Sequence, residues 1–265
     1  MPAGPSGIQF VGIAYGLIFT IIGAILWYKG IFSTRLKYTL LIVTLVFGFA
    51  IFSPMLPFMF QELVATSGGG AGASIAMAAA GMSAFFALAL LFGRHFCGYL
   101  CPIGAVQELA FLVQVPKVKT PWKKSFLLIR GAVFIHIVIS GVAFSFSLLG
   151  FLGVRQFFTL HISAGFLVFL AIIAVALFVY RPFCRIVCPI GAIFYIFAAM
   201  ARWKIRRTGS CIECKTCERA CPVSEAGRED AKGECYLCRR CIDACPVKGA
   251  LVYGSSGKAD TEIEK

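Results

Sequence analysis

The chain has 265 residues, of which 59% are hydrophobic, and its mean hydropathy is +0.86. Soluble proteins of this length do not reach such a value, so composition predicts a membrane protein and excludes an ordinary soluble globular class. The net charge is +13, but Lys and Arg flank the apolar segments and form no patch interleaved with aromatic residues. Nucleic acid is therefore not expected as a partner.

Five apolar segments of about 20 residues occupy most of the chain before position 180, and each is long enough to cross a bilayer as a helix. The predicted spans cover residues 9–28, 38–59, 74–93, 131–150 and 157–180. The first segment lacks a basic leader and a small-residue cleavage pattern, so we expect a span and not a removed signal peptide. The Gly-rich connection 67–74 lacks the Lys or Thr of phosphate-binding or flavin-attachment loops, and we expect a flexible linker there.

Basic residues mark one face of the predicted membrane domain. Eleven of the twelve Lys and Arg before position 200 lie in the first and third connections or at the end of the fifth span, whereas the opposite face carries only Arg155. Cytoplasmic loops are enriched in Lys and Arg. We therefore predict a multi-pass protein of a prokaryotic cytoplasmic membrane, with its N-terminus outside and its C-terminal tail in the cytoplasm.

Two segments at the predicted cytoplasmic face, 94–105 and 181–192, share the pattern Arg-x-Phe-Cys-x-x-x-Cys-Pro-Ile-Gly-Ala. The copies lie 87 residues apart and indicate an internal duplication. Pro after the second cysteine suits the first position of a helix, which places Cys101 and Cys188 at N-caps. The apolar residues that follow, 102–115 and 189–203, are too short to span and predict two interfacial half-helices. A helix N-terminus is expected to lower a thiol pKa, with further positive charge from Arg and His residues nearby.

Three histidines occur in the chain, and two of them fall in the predicted membrane domain beyond the first cysteine segment. His136 lies inside the fourth predicted span, where an ionisable residue is a functional candidate. His161 lies near the outer end of the fifth span, at a different depth, which argues against a shared haem. His161 and Arg155 together form a candidate quinol site, although interhelical packing or an interfacial location also accounts for both histidines.

The tail contains two runs of the form Cys-x2-Cys-x2-Cys-x3-Cys-Pro, which is the bacterial ferredoxin pattern. The fourth cysteine of each run reaches the other cluster, which predicts two [4Fe–4S] clusters. One ligand set is Cys211, Cys214, Cys217 and Cys245. The other set is Cys235, Cys238, Cys241 and Cys221. Zinc sites use cysteine pairs, and cytoplasmic thiols stay reduced, so neither a zinc site nor a disulfide framework is favoured.

The four remaining cysteines of the twelve are those of the duplicated segments: Cys97, Cys101, Cys184 and Cys188. We favour their convergence on one further iron–sulfur cluster. A pair of redox-active dithiols, another metal, a quinone-facing structural role and simple buried cysteines are the alternatives.

The order of spans, Cys-x-x-x-Cys-Pro segments and a double ferredoxin tail resembles the NapH/NosR-type membrane polyferredoxins, most closely NapH, over about residues 84–252. That resemblance implies a quinol-linked membrane electron carrier serving a partner reductase, with all twelve cysteines as the matching positions. The chain differs from the family pattern by a first, additional span, a short linker between the tail motifs, and the lack of a sizeable flavin-carrying outer domain.

Taken together, these features predict an α-helical integral membrane protein with about five transmembrane helices, two half-helices and a C-terminal 2[4Fe–4S] ferredoxin domain. The transmembrane domain would cover residues 1–203 and the ferredoxin domain 204–265. The expected function is that of an electron-transfer subunit, with the lipid bilayer, other redox subunits and quinone as partners. An accessory metal or thiol reductase for assembly of a respiratory enzyme is the alternative. A plain membrane anchor does not explain the four membrane-edge cysteines.

Overall fold

The computed structural model describes residues 7–52, 56–66, 73–118, 123–144 and 148–255. Residues 67–72, most of the Gly-rich connection for which we expect a linker, lie outside these ranges. The chain is mostly helical, with the β-structure of the described residues confined to the tail.

The first half of the membrane part consists of apolar helices followed by the first cysteine segment. Its elements are α1 (Gly7–Tyr28), α2 (Thr34–Ile51), α3 (Leu56–Thr66), α4 (Ala73–Phe92), a π-helical turn π1 (Phe96–Leu100) and α5 (Pro102–Ala110). The second half contains α6 (Lys123–Phe144), α7 (Leu148–Phe151), α8 (Val154–Phe158), α9 (Ala164–Ala176), a second π-helical turn π2 (Phe183–Val187) and α10 (Pro189–Ala199). The predicted half-helices are therefore present as α5 and α10, both shorter than expected.

The tail begins where the last half-helix ends. Its elements are β1 (Lys204–Arg207), α11 (Thr216–Ala220), α12 (Arg240–Asp243) and β2 (Leu251–Gly254). The two strands form an antiparallel pair in which Lys204 lies opposite Gly254 and Arg207 opposite Leu251. This pairing brings the end of the described chain back to the start of the tail and encloses both cysteine runs between the strands.

Three helices of the described residues are long and apolar enough to cross a membrane: Val11–Tyr28, Thr34–Ile51 and Lys123–Ala143. Shorter apolar helical segments are Ala78–Phe92, Ala164–Ala176 and Pro189–Ala199. These helices support a membrane protein, while the count of about five spans stays a prediction.

The fifth predicted span, residues 157–180, is not one continuous helix. Leu160 has a φ of 54°, which interrupts the helix after α8, and Ser163 then caps α9 by accepting a hydrogen bond from the Phe166 amide at 3.3 Å. The 13 residues of α9 extend over about 20 Å at 1.5 Å per residue, less than the roughly 30 Å of a hydrocarbon core. Mean hydropathy did not reveal this interruption because the apolar residues on both sides outweigh Thr159, His161 and Ser163.

The duplication predicted from the cysteine segments is visible in the packing. The first unit is α4, π1 and α5, and the second is α9, π2 and α10. Half-helix α5 of the first unit packs on α9 of the second, and α10 of the second packs on α4 of the first. Each half-helix is thus held by the apolar helix of the opposite unit, and this exchange brings π1 and π2 to a common centre.

The tail packs directly against these two turns. The Tyr99 hydroxyl donates to the Leu237 carbonyl, and the Tyr253 hydroxyl donates to the Phe92 carbonyl at 2.8 Å. Tyr253 also stacks on His95 with ring centroids 5.3 Å apart. Strand β1 begins at Lys204, but the tail shares a continuous buried core with the membrane part, so the domain boundary after residue 203 stays a prediction.

Candidate metal centres

Both cysteine segments fold in the same way, as a π-helical turn that runs into an α-helix. The Cys101 amide donates to the Phe96 carbonyl at 3.0 Å, and the Cys188 amide donates to the Phe183 carbonyl at 2.9 Å. Cys101 and Cys188 are the N-cap residues of α5 and α10, as predicted, with Pro at the first helical position. Single π-turns are rare and often occur at functional sites, and here each one places two thiols on the same centre.

The Gly of the repeated Pro-Ile-Gly-Ala pattern has a definite structural role that sequence reasoning missed. A Cβ atom at Gly104 would lie 2.7 Å from the Cys97 carbonyl oxygen, and one at Gly191 would lie 2.7 Å from the Cys184 carbonyl oxygen. Any side chain here would push the half-helix away from the preceding cysteine. The available signal was that both copies carry Gly at the same position.

The structure brings the four membrane-edge thiols together. Cys101, Cys184 and Cys188 are buried, and Cys97 is partly buried. The thiols lie close enough for Cys184 and Cys97 to raise the pKa of both Cys101 and Cys188 electrostatically. The two segments therefore form one four-cysteine set and not two distant pairs.

Burial raises the pKa of all four thiols, that of Cys97 to about 11. The expected lowering at the helix N-termini is therefore wrong for the thiols alone. The Gly104 and Ile103 amides do act to lower the pKa of Cys101, but burial and the neighbouring thiols outweigh them. These cysteines therefore ionise only when a positively charged group among the sulfurs offsets the cost of burying their negative charge.

His95 does not supply the positive charge that we expected of it. Burial lowers its pKa to about 3, and neither ring nitrogen has a hydrogen-bond partner among the described residues. The charge near the four thiols comes from arginines. Arg181 donates to the Cys97 and Gly98 carbonyls, and Arg94 donates to the Gly191 carbonyl at 2.7 Å, so each arginine crosses to the opposite unit.

The residues of the four-cysteine set fit an iron–sulfur cluster. The four thiols are near enough to influence one another electrostatically, and their surroundings are cationic: Arg94, Arg181 and Arg130 all act to lower the pKa of Cys97. The Nε of Arg94 and the Nη2 of Arg130 are buried with no hydrogen-bond partner among the described residues. Four thiolates around a cluster supply negative charge, which is what buried guanidinium groups without acceptors require.

Single-ion sites are a separate matter. In the described part of the chain, no group of three or more His, Cys, Asp or Glu side chains is arranged tightly enough to hold one metal ion. A cubane keeps its four sulfur ligands further apart than a single ion does, because the ligands bind different iron atoms. The convergence of the thiols and this finding are therefore compatible.

The tail cysteines group as cross-ligation requires. A cavity of about 270 Å³ is lined by one set: Cys221, Cys235, Cys238 and Cys241. A second, smaller cavity is lined by the other set: Cys211, Cys214, Cys217 and Cys245. In each cavity, the fourth cysteine of one run lies with the first three of the other run, and the assignment of these cysteines as cluster ligands stays a prediction. Cys214 is exposed, so the second set lies at the surface of the tail.

Two buried carboxylates connect the tail to the cysteine segments. Glu234, next to Cys235, accepts from Arg130 Nη1 at 2.9 Å and from Arg185 Nε at 3.2 Å. Glu108 of α5 binds Arg181 and, at 2.9 Å, Arg240 of the tail. Sequence reasoning used Glu108 only as one of two acids in a basic region, since nothing in the sequence pairs it with residues more than 70 positions away.

Tyr236 lies between the two ligand regions. Its hydroxyl accepts a hydrogen bond from Arg94 Nη1 at 3.1 Å, and Arg181 Cζ lies 4.7 Å from the centre of its ring. Its carbonyl oxygen would be 2.5 Å from a Cβ atom at Gly98. The Cys235–Cys241 loop of the tail therefore lies directly against the first cysteine segment.

The remaining candidates stand apart from the cysteines. His161 and Arg155 are exposed near the turn between α8 and α9, and Arg155 Cζ lies 5.9 Å from the Phe52 ring centre. His136 is exposed on α6. A quinol site at His161 and Arg155 stays a prediction.

A family described as a 4Fe-4S binding domain matches the chain twice, at residues 75–121 and 163–208. Each match contains one Cys-x-x-x-Cys-Pro segment with the helices before and after it. The two segments are thus recognised as copies of one iron–sulfur module. The cysteine runs of the tail lie outside both matches.

Curated relatives align with about half of the chain. Protein NirI of Paracoccus denitrificans is 37% identical over 52% of this chain and 22% of its own length, and regulatory protein NosR of Pseudomonas aeruginosa is 33% identical over 51% and 21%. An uncharacterized protein of Methanocaldococcus jannaschii is 31% identical over 51% of this chain and 54% of its own. The chain thus spans 54% or less of the length of these relatives. No solved structure matches the chain.

These findings define the class of the protein: a mostly helical membrane protein that carries two copies of an iron–sulfur-binding segment. The resemblance to the NapH/NosR-type membrane polyferredoxins is confirmed, since a NosR protein is among the relatives and the family match covers both cysteine segments.

Proposed function

We propose that the protein carries single electrons between a redox partner at the membrane and a partner at the tail surface, through three iron–sulfur sites. Cys97, Cys101, Cys184 and Cys188 hold the membrane-edge cluster, and the two tail sets hold two [4Fe–4S] clusters. The convergence of four thiols from two duplicated turns, three of them buried, is the observation that carries the proposal. A cluster at each site takes up and releases one electron at a time.

The order of the three ligand sets supports a relay. The Tyr236 carbonyl beside Gly98 brings the Cys235–Cys241 loop against the membrane-edge set. Cys217 of the other tail set is close enough to raise the pKa of Cys241. Cys214 of that set is exposed, so the series of three ligand sets ends at the tail surface. The chain's own contribution is to hold these sets next to one another and to bury most of the membrane-edge set.

Thiol reductase chemistry, one form of the alternative function, is not favoured. That chemistry needs a thiolate that solvent or a substrate disulfide can reach. Burial raises the pKa of Cys101 and Cys188, and both thiols are more than nine-tenths buried. The arginines around them instead suit sulfurs that stay ionised as cluster ligands.

The electron partners follow from the family resemblance and from the location of the sites. A quinol in the membrane is the proposed partner at the membrane-edge set, and another redox subunit is proposed at the Cys214 surface. His161 and Arg155, at the opposite end of α9 from the cysteines, are the residues proposed for a separate quinol site near the outer face. Copurification with a large stoichiometric complex would support the role as a subunit.

We also propose that the tail lies on the cytoplasmic side. Lys123 Nζ, at the start of α6, lies 2.6 Å from Glu225 of the tail, which supports a common side for the tail and the basic third connection. In intact cells, an amine reagent that does not cross membranes should label a lysine introduced as His161→Lys. Lys117 should react only after permeabilisation. Reaction of Lys117 in intact cells would contradict the orientation.

Reductive titration of the purified full-length chain, followed by EPR, tests the relay. We expect reversible one-electron reduction and signals broadened by spin coupling between neighbouring reduced sites, because the ligand sets adjoin. Removing the second tail set by Cys211→Ser should simplify the coupled spectrum without abolishing it. Sharp, independent signals from isolated centres would contradict a relay through adjacent sites.

A further inference from the structure

Gln107 of α5 is fully buried between the two cysteine segments and contacts both. Its Nε2 atom lies 3.2 Å from Cys184 Sγ and 2.8 Å from the Ile103 carbonyl oxygen. Its Oε1 atom accepts a hydrogen bond from the Phe183 amide at 3.0 Å. The amide N–H can only donate and the carbonyl can only accept, so both ends of the Gln107 amide are fixed in orientation. The group that faces Cys184 is therefore an N–H donor.

The second unit has no such donor at the equivalent place. The position 87 residues after Gln107 is Phe194, a buried side chain on α10. Its ring lies 5.5 Å from that of Phe86 and 6.5 Å from that of Phe96, measured between centroids. The two units are thus alike in backbone, and the donor to the Cys184 sulfur is present in the first unit alone.

We propose that Gln107 is a positioning residue that raises the reduction potential of the membrane-edge site by hydrogen bonding to the Cys184 sulfur. This inference rests on the proposed function, because Cys184 must be a cluster ligand for the bond to act on the potential. Hydrogen bonds to sulfur and nearby charge are among the factors that set cluster potentials. An N–H donor stabilises the state with more negative charge on sulfur, which is the reduced state. The site then accepts an electron more readily than the backbone and arginines alone would allow.

The test compares the wild-type protein with Gln107→Met, which has a similar length but no donor. The iron content should be unchanged, while the midpoint potential of the membrane-edge signal should fall. The expected effect is about a tenfold lower ratio of reduced to oxidised site at a fixed ambient potential, which is about 59 mV for a one-electron couple. Phe194→Leu is the matched control, since it disturbs packing at the equivalent position without removing a donor, and its potential should stay close to that of the wild type.

Each other result has a definite meaning. Normal iron with an unchanged potential in Gln107→Met overturns the inference and leaves the proposed function standing. A wild-type protein without iron beyond that of the tail overturns both. If Gln107→Met does not assemble, Gln107→Glu keeps the acceptor for the Phe183 amide, and at alkaline pH its carboxylate has no proton to donate. A larger downward shift is expected there, because the carboxylate also adds negative charge beside Cys184. Loss of iron in both variants would assign Gln107 to assembly and reject the tuning role.

Discussion

Replacing Glu108 by Gln is expected to lower the free energy of unfolding by about 3–5 kcal/mol, the usual cost of removing one partner from a buried ion pair. The Glu108 side chain is completely buried, with Lys37 Nζ 2.8 Å from one oxygen and the Tyr180 hydroxyl donating to the other at 2.6 Å. Arg181 and Arg240 bind the same carboxylate. A neutral amide leaves these three cations without their common counter-charge.

The effect of Glu108→Gln should extend to both groups of cysteines. Arg181 also holds the Cys97 carbonyl, and Arg240 precedes Cys241 of the tail. We therefore expect partial loss of iron together with the loss of stability, measured by denaturant unfolding in detergent. Glu213→Gln is the matched control, because the Arg228–Glu213 pair is exposed and exposed pairs contribute at most about 1 kcal/mol. Equal losses in both variants would contradict the role assigned to Glu108.

The acid dependence of that stabilisation follows from the Glu108 pKa. Burial alone would raise the pKa, but the charges of Arg181, Arg240 and Lys37 outweigh burial and hold it well below the usual range. A carboxyl with a lowered pKa stabilises the folded state above its unfolded pKa of about 4.3 and loses that contribution as pH falls towards its folded pKa. The difference in stability between wild type and Glu108→Gln should therefore be constant at neutral pH and shrink in acid below about pH 4.

Several local features of the candidate sites were predictable because short-range rules determine them. Pro102 and Pro189 fixed the starts of the half-helices, and Cys101 and Cys188 accordingly occupy the N-caps. The spacing of the tail runs predicts which fourth cysteine joins which set; the two cavities group the cysteines in the same way, while their ligation of clusters stays a prediction. Repeated spacing and helix-start chemistry are encoded within a dozen residues of sequence.

Other features depend on contacts between distant residues, and the sequence did not reveal them. Whether the pKa of a thiol is raised or lowered depends on its burial by neighbouring units. For Cys101, burial raises the pKa by more than the amides at the helix N-terminus lower it. The break before α9 depends on Leu160 in a left-handed conformation and on the Ser163 cap, within a segment of high mean hydropathy. Glu234 is paired with Arg130 of α6 and with Arg185 of π2. Only the packed structure brings such residues together.

Replacing either Cys97 or Cys184 by Ser is expected to remove the same amount of iron, because we assign the two residues to one centre although they come from different duplicated units. Their thiols are close enough to interact electrostatically, and Gln107 holds Cys184 towards the common centre. Loss of any one of four ligands should leave the cluster incomplete and labile. The tail clusters should be retained, since their eight cysteines are untouched. Two independent dithiols would instead give separate effects.

The most direct measurement is the iron and acid-labile sulfide content per chain of the wild type, Cys97→Ser and Cys184→Ser, purified under anaerobic conditions. We expect about ten to twelve irons per wild-type chain and about eight in both variants, because the tail alone is proposed to hold two [4Fe–4S] clusters. A wild-type value of about eight that neither substitution lowers would contradict the shared membrane-edge cluster.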